Sequence, residues 1–255
     1  MERVPETAKV KSLYKAIKLL DYFTGESTEL GVTELAEKSG MLKSTIHNIL
    51  STYELCGIME RNNQTNKYHL GIKILELSNQ LYRNNDVRQI VRPYMEQIVS
   101  KIGENMYFAK LYDNEVIYLD AVFPKDVISG RNMIGIRAKA YCTGIGKAML
   151  AFETEDIIEE VIRSGLISYT DHTIKDGKHL KKELAQIRKQ GFAVDNMEHE
   201  YGVCCVAVPI RDYKGNVVAA CSLSGPSLRF TDQKIEEYSK IMILTMEECS
   251  NRIQG

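Results

Sequence analysis

The sequence predicts an α+β protein, with an N-terminal winged helix-turn-helix, a linker helix and a C-terminal antiparallel sheet flanked by helices. Three observations carry this. A helix, a glycine turn and a second helix over residues 32–55 run straight into a polar-tipped hairpin. A helical apolar repeat follows from Gly71 to Lys101. From Asn105 onward the pattern changes to alternating strands closed by hairpin turns.

The 255 residues suit two domains. We divide them as a winged helix-turn-helix domain (1–71), a linker helix (72–86) and a C-terminal sheet domain (87–255). A hydrophobic fraction of 44% and a charged fraction of 26% belong to a soluble globular chain. No run reaches the roughly 18 apolar residues of a membrane span. The polar segment Met1–Val10 does not read as a signal peptide. Cysteines at 56, 142, 204, 205, 221 and 249 lack CxxC spacing, which predicts neither a metal site nor a disulfide framework, and a cytoplasmic setting. Net charge is −1, and residues 1–70 carry nine basic and nine acidic side chains, so any case for nucleic acid rests on where the charges lie.

Val10, Leu13, Tyr14, Ile17 and Leu20 form one apolar stripe of a first helix, with Lys11, Lys15 and Lys18 on its opposite face. The second helix spans Val32–Ser39, with Thr33 as N-cap and Leu35 and Ala36 inward. Gly40 supplies the tight turn. The third helix, from about Leu42 to Leu55, buries Ile46, Ile49, Leu50 and Tyr53. It opens with Lys43, Ser44, Thr45, His47 and Asn48, short donors and acceptors suited to phosphates and base edges. The competing readings are a solvated lysine face, ordinary capping by Ser44 or Thr45, and a surface histidine at His47. Two short strands, Ile58–Arg61 and Lys67–Leu70, flank Asn62–Asn66 and place Arg61 and Lys67 where a wing meets phosphate. This order makes DNA the expected partner. The alternative is a small-molecule-binding or metabolic enzyme domain whose helix-turn-helix serves protein contacts.

Helices follow over about 71–85, with Ile74, Leu75, Leu77, Ser78, Leu81 and Tyr82 at helical spacing, and over 87–101, burying Ile90, Val91, Tyr94, Met95, Ile98 and Val99. Strands are expected at Tyr107–Tyr112, Val116–Val122, Phe192–Asp195, Val203–Ile210 and Val217–Ser224, with helices at Gly146–Glu153, Glu155–Ser164, His179–Gln190 and Thr231–Ile253. No clear signature of a nucleophile with its base, a metal cluster or a phosphate loop stands in the chain, so it is not read as an enzyme. Gly144-Ile145-Gly146-Lys147 lacks the spacing and the following hydroxyl of a phosphate loop. Cys205 with Asp195 could pair, but a cysteine in an apolar strand is usually a small buried hydrophobe. No cofactor is expected.

The segments Lys11-Ser12-Leu13-Tyr14-Lys15-Ala16, Leu35-Ala36-Glu37-Lys38-Ser39-Gly40-Met41-Leu42-Lys43-Ser44-Thr45-Ile46-His47 and Tyr68-His69-Leu70-Gly71 resemble the IclR family of bacterial regulators. So do Thr143-Gly144-Ile145-Gly146-Lys147-Ala148, Gly191-Phe192-Ala193-Val194-Asp195, Gly202 to Ile210, and Ser222-Leu223-Ser224-Gly225-Pro226, in the same order along the chain. The resemblance implies a GAF-like C-terminal domain, a linking role for the helix over 72–86, and a dimer or tetramer of a transcription regulator, a repressor rather than an activator. It also maps an effector pocket onto Gly144, Ile145, Asp195, Cys205, Ser222 and Ser224, with Val127 and Gly130 nearby. The chemistry of that set suits a small organic acid (a keto, sugar or aromatic acid): backbone N–H groups for a carboxylate, two hydroxyls on one strand face and an acidic acceptor. Two departures limit transfer from relatives. Asn48 stands where the family commonly has arginine, and Lys139-Ala140-Tyr141-Cys142 where it often has Pro-Leu-His-Ala.

Overall fold

Leu19, Phe23, Leu30, Leu35, Ile46, Leu50, Met59 and Tyr68 form the core around which the N-terminal helices assemble. In the computed structural model, residues 4–24, 29–83, 86–125 and 131–253 are described, and the chain divides into two units, 1–84 and 85–255. The first contains α1 (Lys11–Leu20), α2 (Val32–Ser39), α3 (Lys43–Leu55), β1 (Met59–Arg61), β2 (Tyr68–Leu70) and α4 (Lys73–Arg83). The N-cap of α2 is Gly31 rather than Thr33: the Glu34 carboxylate, in the first turn, reaches back and accepts the Gly31 N–H at 2.7 Å, the half of a capping box that the third helical residue supplies. Gly40 closes α2 at φ 70°, a conformation a side chain would resist, and so sets α3 across α2. The hairpin β1–β2 is antiparallel, with Met59 opposite Leu70, and Leu30 bridges to Tyr68 at its inner edge.

The apolar stripe of α1 turns out to be mostly uncovered within the chain. Val10 is 56%, Leu13 56% and Ile17 54% exposed, while Leu19, off that stripe, is the residue buried in the core. Likewise α4 leaves Leu75, Leu77 and Leu81 exposed. Of the three lysines of α1, Lys18 pairs with Asp21 at 2.9 Å.

The second unit comprises α5 (Asp86–Ile102), β3 (Asn105–Tyr112), β4 (Glu115–Val122), β5 (Arg137–Lys139), α6 (Gly144–Leu150), α7 (Glu155–Arg163), α8 (Gly177–Gln190), β6 (Ala193–Asn196), β7 (Val203–Arg211), β8 (Val217–Pro226) and α9 (Asp232–Ser250). Its six strands form one antiparallel sheet in the order β5-β4-β3-β8-β7-β6. Alternation along each strand sorts the side chains between two cores. Met106, Phe108, Val206, Val208, Cys221 and Leu223 face α5 and α9. Tyr107, Ala109, Tyr118, Ala207 and Ala220 face α6, α7 and α8. The expected strands are all present, with ends shifted by one or two residues. Asp113 and Asn114, both at positive φ, close β3 to β4 as a two-residue turn, so Glu115 belongs to the strand. β5 was not expected: Arg137-Ala138-Lys139 is short, polar and at the sheet edge, without an apolar alternation to show it. Thr143 caps α6, so that helix begins at Gly144, two residues earlier than expected.

Candidate functional site

Two places gather the expected functional side chains. On the first unit, α3 buries Ile46 and Leu50, and helical periodicity turns Lys43, Ser44, Thr45, His47 and Asn48 outward; all five are exposed. Among the described residues the side chains of these five make no hydrogen bond or ion pair; Asn48 is touched only at its backbone carbonyl, which accepts from the Thr52 hydroxyl at 2.8 Å. Lys11 is also exposed. The two wing cations differ. The exposed Arg61 donates to Asn66 Oδ1 at 2.9 Å, and the half-buried Lys67 pairs with Glu34 at 2.9 Å. The wing tip is braced from Glu29, whose carboxylate accepts from Asn62 at 2.8 Å and Thr65 at 3.1 Å.

On the second unit a cavity of about 300 Å³ opens between the sheet and the start of α6. Gly144, Ile145, Asp195, Cys205, Ser222 and Ser224 all line it. Val127 and Gly130 lie outside the described residues. Strand register explains the convergence. Asp195 on β6 stands opposite Cys205 on β7, Cys205 opposite Ser224 on β8, and Ser224 opposite Asn105 on β3. The adjacent row runs Ala193, Ala207, Ser222, Tyr107. Small side chains in both rows leave the room that α6 roofs over.

Asp195 is only 4% exposed, and burial, reinforced by nearby Glu198, pushes its carboxyl up to about 7 despite the Glu198 N–H donated at 2.7 Å. The Cys205 thiol donates to Ser224 Oγ at 3.2 Å; burial and then Asp195 push it well above the ordinary thiol range, the opposite of what activates a nucleophile. The Tyr107 phenol, raised to about 12 by burial, donates to the Arg131 carbonyl at 3.0 Å and packs edge-on against Tyr118 with centroids 5.7 Å apart.

The motif Gly144-Ile145-Gly146-Lys147 acquires a structural meaning here. A Cβ on Gly146 would lie 2.4 Å from the Ala140 carbonyl oxygen, so only glycine lets α6 sit where it does. Thr143 caps the helix, its hydroxyl accepting the Gly146 N–H at 3.2 Å. Lys147 is fully buried and bonds Glu198 directly, with Glu183 at 3.3 Å; burial opposes its charge, but the two carboxylates outweigh that and hold it as an ammonium. Lys139, in the segment that departs from the family, and Arg137 beside it pair with Glu115 at 2.7 and 3.4 Å and do not line the cavity.

Asn105, Tyr107, Tyr118, Arg131 and His199 also line the cavity and were not expected. The signal for Asn105 and Tyr107 is the pairing of β3 with β8, strands more than 100 residues apart in a sequence that does not reveal their adjacency. Among the described residues no group of histidines, cysteines and carboxylates is arranged to hold a metal ion, and no helix is long and apolar enough to cross a membrane.

Comparison with known proteins agrees across both units. The family profile described as the IclR helix-turn-helix domain matches residues 12–62, and that described as bacterial transcriptional regulator IclR C-terminal matches residues 79–251. The transcriptional repressor IclR of Escherichia coli (strain K12) is 31% identical over 249 residues, 96% of this chain and 91% of that one. The crystal structure of the Thermotoga maritima IclR superposes with a TM-score of 0.72 at 33% identity, covering 96% of this chain and 99% of the other. An IclR homologue from Microbacterium hydrocarbonoxydans, complexed with 4-hydroxybenzoate, has the same fold, with a TM-score of 0.79 at 24% identity over 94% and 97% of the two chains.

Proposed function

The chain belongs to the IclR family of bacterial transcriptional regulators, and on that premise we propose that it is a repressor whose operator affinity is set by a small organic acid in the second unit. Binding DNA through the helix-turn-helix is the family's activity. We assign base and phosphate contacts to Lys43, Ser44, Thr45, His47 and Asn48 of α3, with Lys11, Arg61 and Lys67 on the flanking backbone. Lys67 exchanges Glu34 for phosphate on binding. Asn48, a bidentate partner for adenine, reads a base.

The observation that carries the sensing role is the meeting of Gly144, Ile145, Asp195, Cys205, Ser222 and Ser224 around one cavity. The N–H groups of Gly144 and Ile145, at the start of a helix and so without intrahelical acceptors, hold the acid's carboxylate. Ser222, Ser224 and Asp195 hold the rest. That a protein of the same fold is complexed with 4-hydroxybenzoate supports an acid as the ligand class. Burial keeps Cys205 as a thiol, which does not serve as a thiolate nucleophile toward the ligand. The effector prefers one arrangement of the regulator and shifts its population, in the cytoplasm where the operator lies. The exposed apolar faces of α1 and α4 pair two copies, placing two α3 helices on successive turns of the DNA, about 34–36 Å apart.

A gel-shift titration against the DNA upstream of the chain's own gene, over a salt series, tests this. A specific complex that survives competitor DNA is expected. Lys43→Ala weakens it on every sequence and flattens the salt slope, whereas Asn48→Ala relaxes one base position. Ser222→Ala with Asp195→Ala abolishes the response to acids and leaves operator affinity within about twofold. Absence of any competitor-resistant complex would remove the regulator reading.

A further inference from the structure

We infer that the cavity takes a polyhydroxylated carboxylic acid, a sugar acid of about five or six carbons, in preference to an aromatic or a keto acid. This rests on the reading of the cavity as the effector site. The cavity floor is not apolar with one polar end. Its first row is Asp195, Cys205, Ser224 and Asn105, side by side on four neighbouring strands. Strands lie about 4.8 Å apart, so polar groups are spread over roughly 14 Å of floor. Ser222 adds a hydroxyl in the second row, two residues further along β8. The chemistry of the floor is specific. Ser224 Oγ accepts from the Cys205 thiol, which leaves its own proton to give. Asn105 Oδ1 is buried with no hydrogen-bond partner. Asp195 spends one oxygen on the Glu198 N–H. An occupant must therefore both donate and accept at several points along its length, which a chain of hydroxyls does and a ring or a short keto acid does not.

The unsubstituted edge of an aromatic ring laid on this floor would offer no hydrogen bond to Asp195, Ser222 or Ser224, and sites built to bond a ligand hydroxyl reject analogues that lack it. Tyr118, Met133 and Ile145 supply apolar contact for the carbon backbone of the chain.

Calorimetry on the full chain, with gluconate, galactonate and their five-carbon aldonate counterparts set against hexanoate, sorbitol, pyruvate and 4-hydroxybenzoate, decides it. At least one aldonate is expected to bind 100-fold or more tighter than hexanoate and sorbitol, and Ser224→Ala to cost that aldonate tenfold or more while barely changing hexanoate. If 4-hydroxybenzoate or pyruvate binds best and Ser222→Ala weakens it, the cavity is an acid sensor and the sugar-acid assignment falls alone. If none of these acids binds, the assignment and the acid-sensor reading fall together.

Discussion

At the scale of single residues the cavity between the sheet and α6 is a place where burial works against polar chemistry. Asp195 illustrates the sign of the effect. Its carboxyl titrates near 3.8 in the unfolded chain and about 7 in the folded one, because burial disfavours the anion. The folded state therefore holds a proton that the unfolded state has lost between those two values, and stability falls as pH rises from about 4 through 7. Above 7 the full cost is present, on the order of a few kcal/mol. Asp195→Asn keeps an oxygen for the Glu198 N–H and carries no charge. Relative to the parent it should gain stability at pH 8 and almost none at pH 4, in urea melts at both values; an equal change at the two would show that burial does not govern this group. Gly146 makes an independent case. The Cβ of Gly146→Ala would overlap backbone atoms of residue 140, which no rotamer can relieve, so a loss of about 1–3 kcal/mol or more is expected in the same assay.

At the scale of elements, the buried Lys147–Glu198 pair joins α6 to the segment between β6 and β7, two walls of one cavity. That segment is fixed from the other side as well: the Thr173 hydroxyl donates to the Glu198 carbonyl and the Thr170 hydroxyl to that of Met197, both at 2.6 Å. Lys147→Met leaves Glu198 buried without its counter-charge and should cost about 3–5 kcal/mol. Adding Glu198→Gln should recover much of that loss, and a double variant no more stable than Lys147→Met would sink the pairing argument. None of this was legible beforehand. Sequence periodicity found the helices, since Ile46 and Leu50 or Tyr94 and Ile98 repeat at helical spacing whatever they pack against. The family motifs placed six cavity residues together. Periodicity could not say that Lys147 goes inward, because a lysine in a helix has no apolar pattern to betray it. Nor could it pair β3 with β8, which brings Asn105 and Tyr107 to the floor, because strand order is a long-range property. The stripe of α1 was legible as apolar, yet its partner was not, because nothing within the described residues of the unit covers it.

That uncovered stripe belongs to the scale of the whole molecule. Val10 at the cap of α1, Leu13 and Ile17 on it, and Leu75, Leu77 and Leu81 on α4 are all more than half exposed, in a unit of 84 residues whose own core is already complete without them. Apolar faces of this kind mark association surfaces, and a twofold dimer covers the same face on both copies at once. A regulator that reads DNA gains from this, because the second recognition helix then binds at a high effective concentration, raising affinity by a factor on the order of 10²–10⁴ over one half-site. Leu13→Glu with Leu75→Glu replaces side chains that the folded unit leaves exposed, so the chain should still fold, with an unchanged thermal transition at high dilution. Sedimentation velocity should show a monomer at concentrations where the parent forms the proposed dimer. Operator affinity should fall at least 100-fold, while calorimetric binding of an acid in the cavity stays within about twofold. A variant that still sediments as a dimer and still binds the operator at parental affinity would place the association surface elsewhere, and with it the geometry that spaces the two α3 helices.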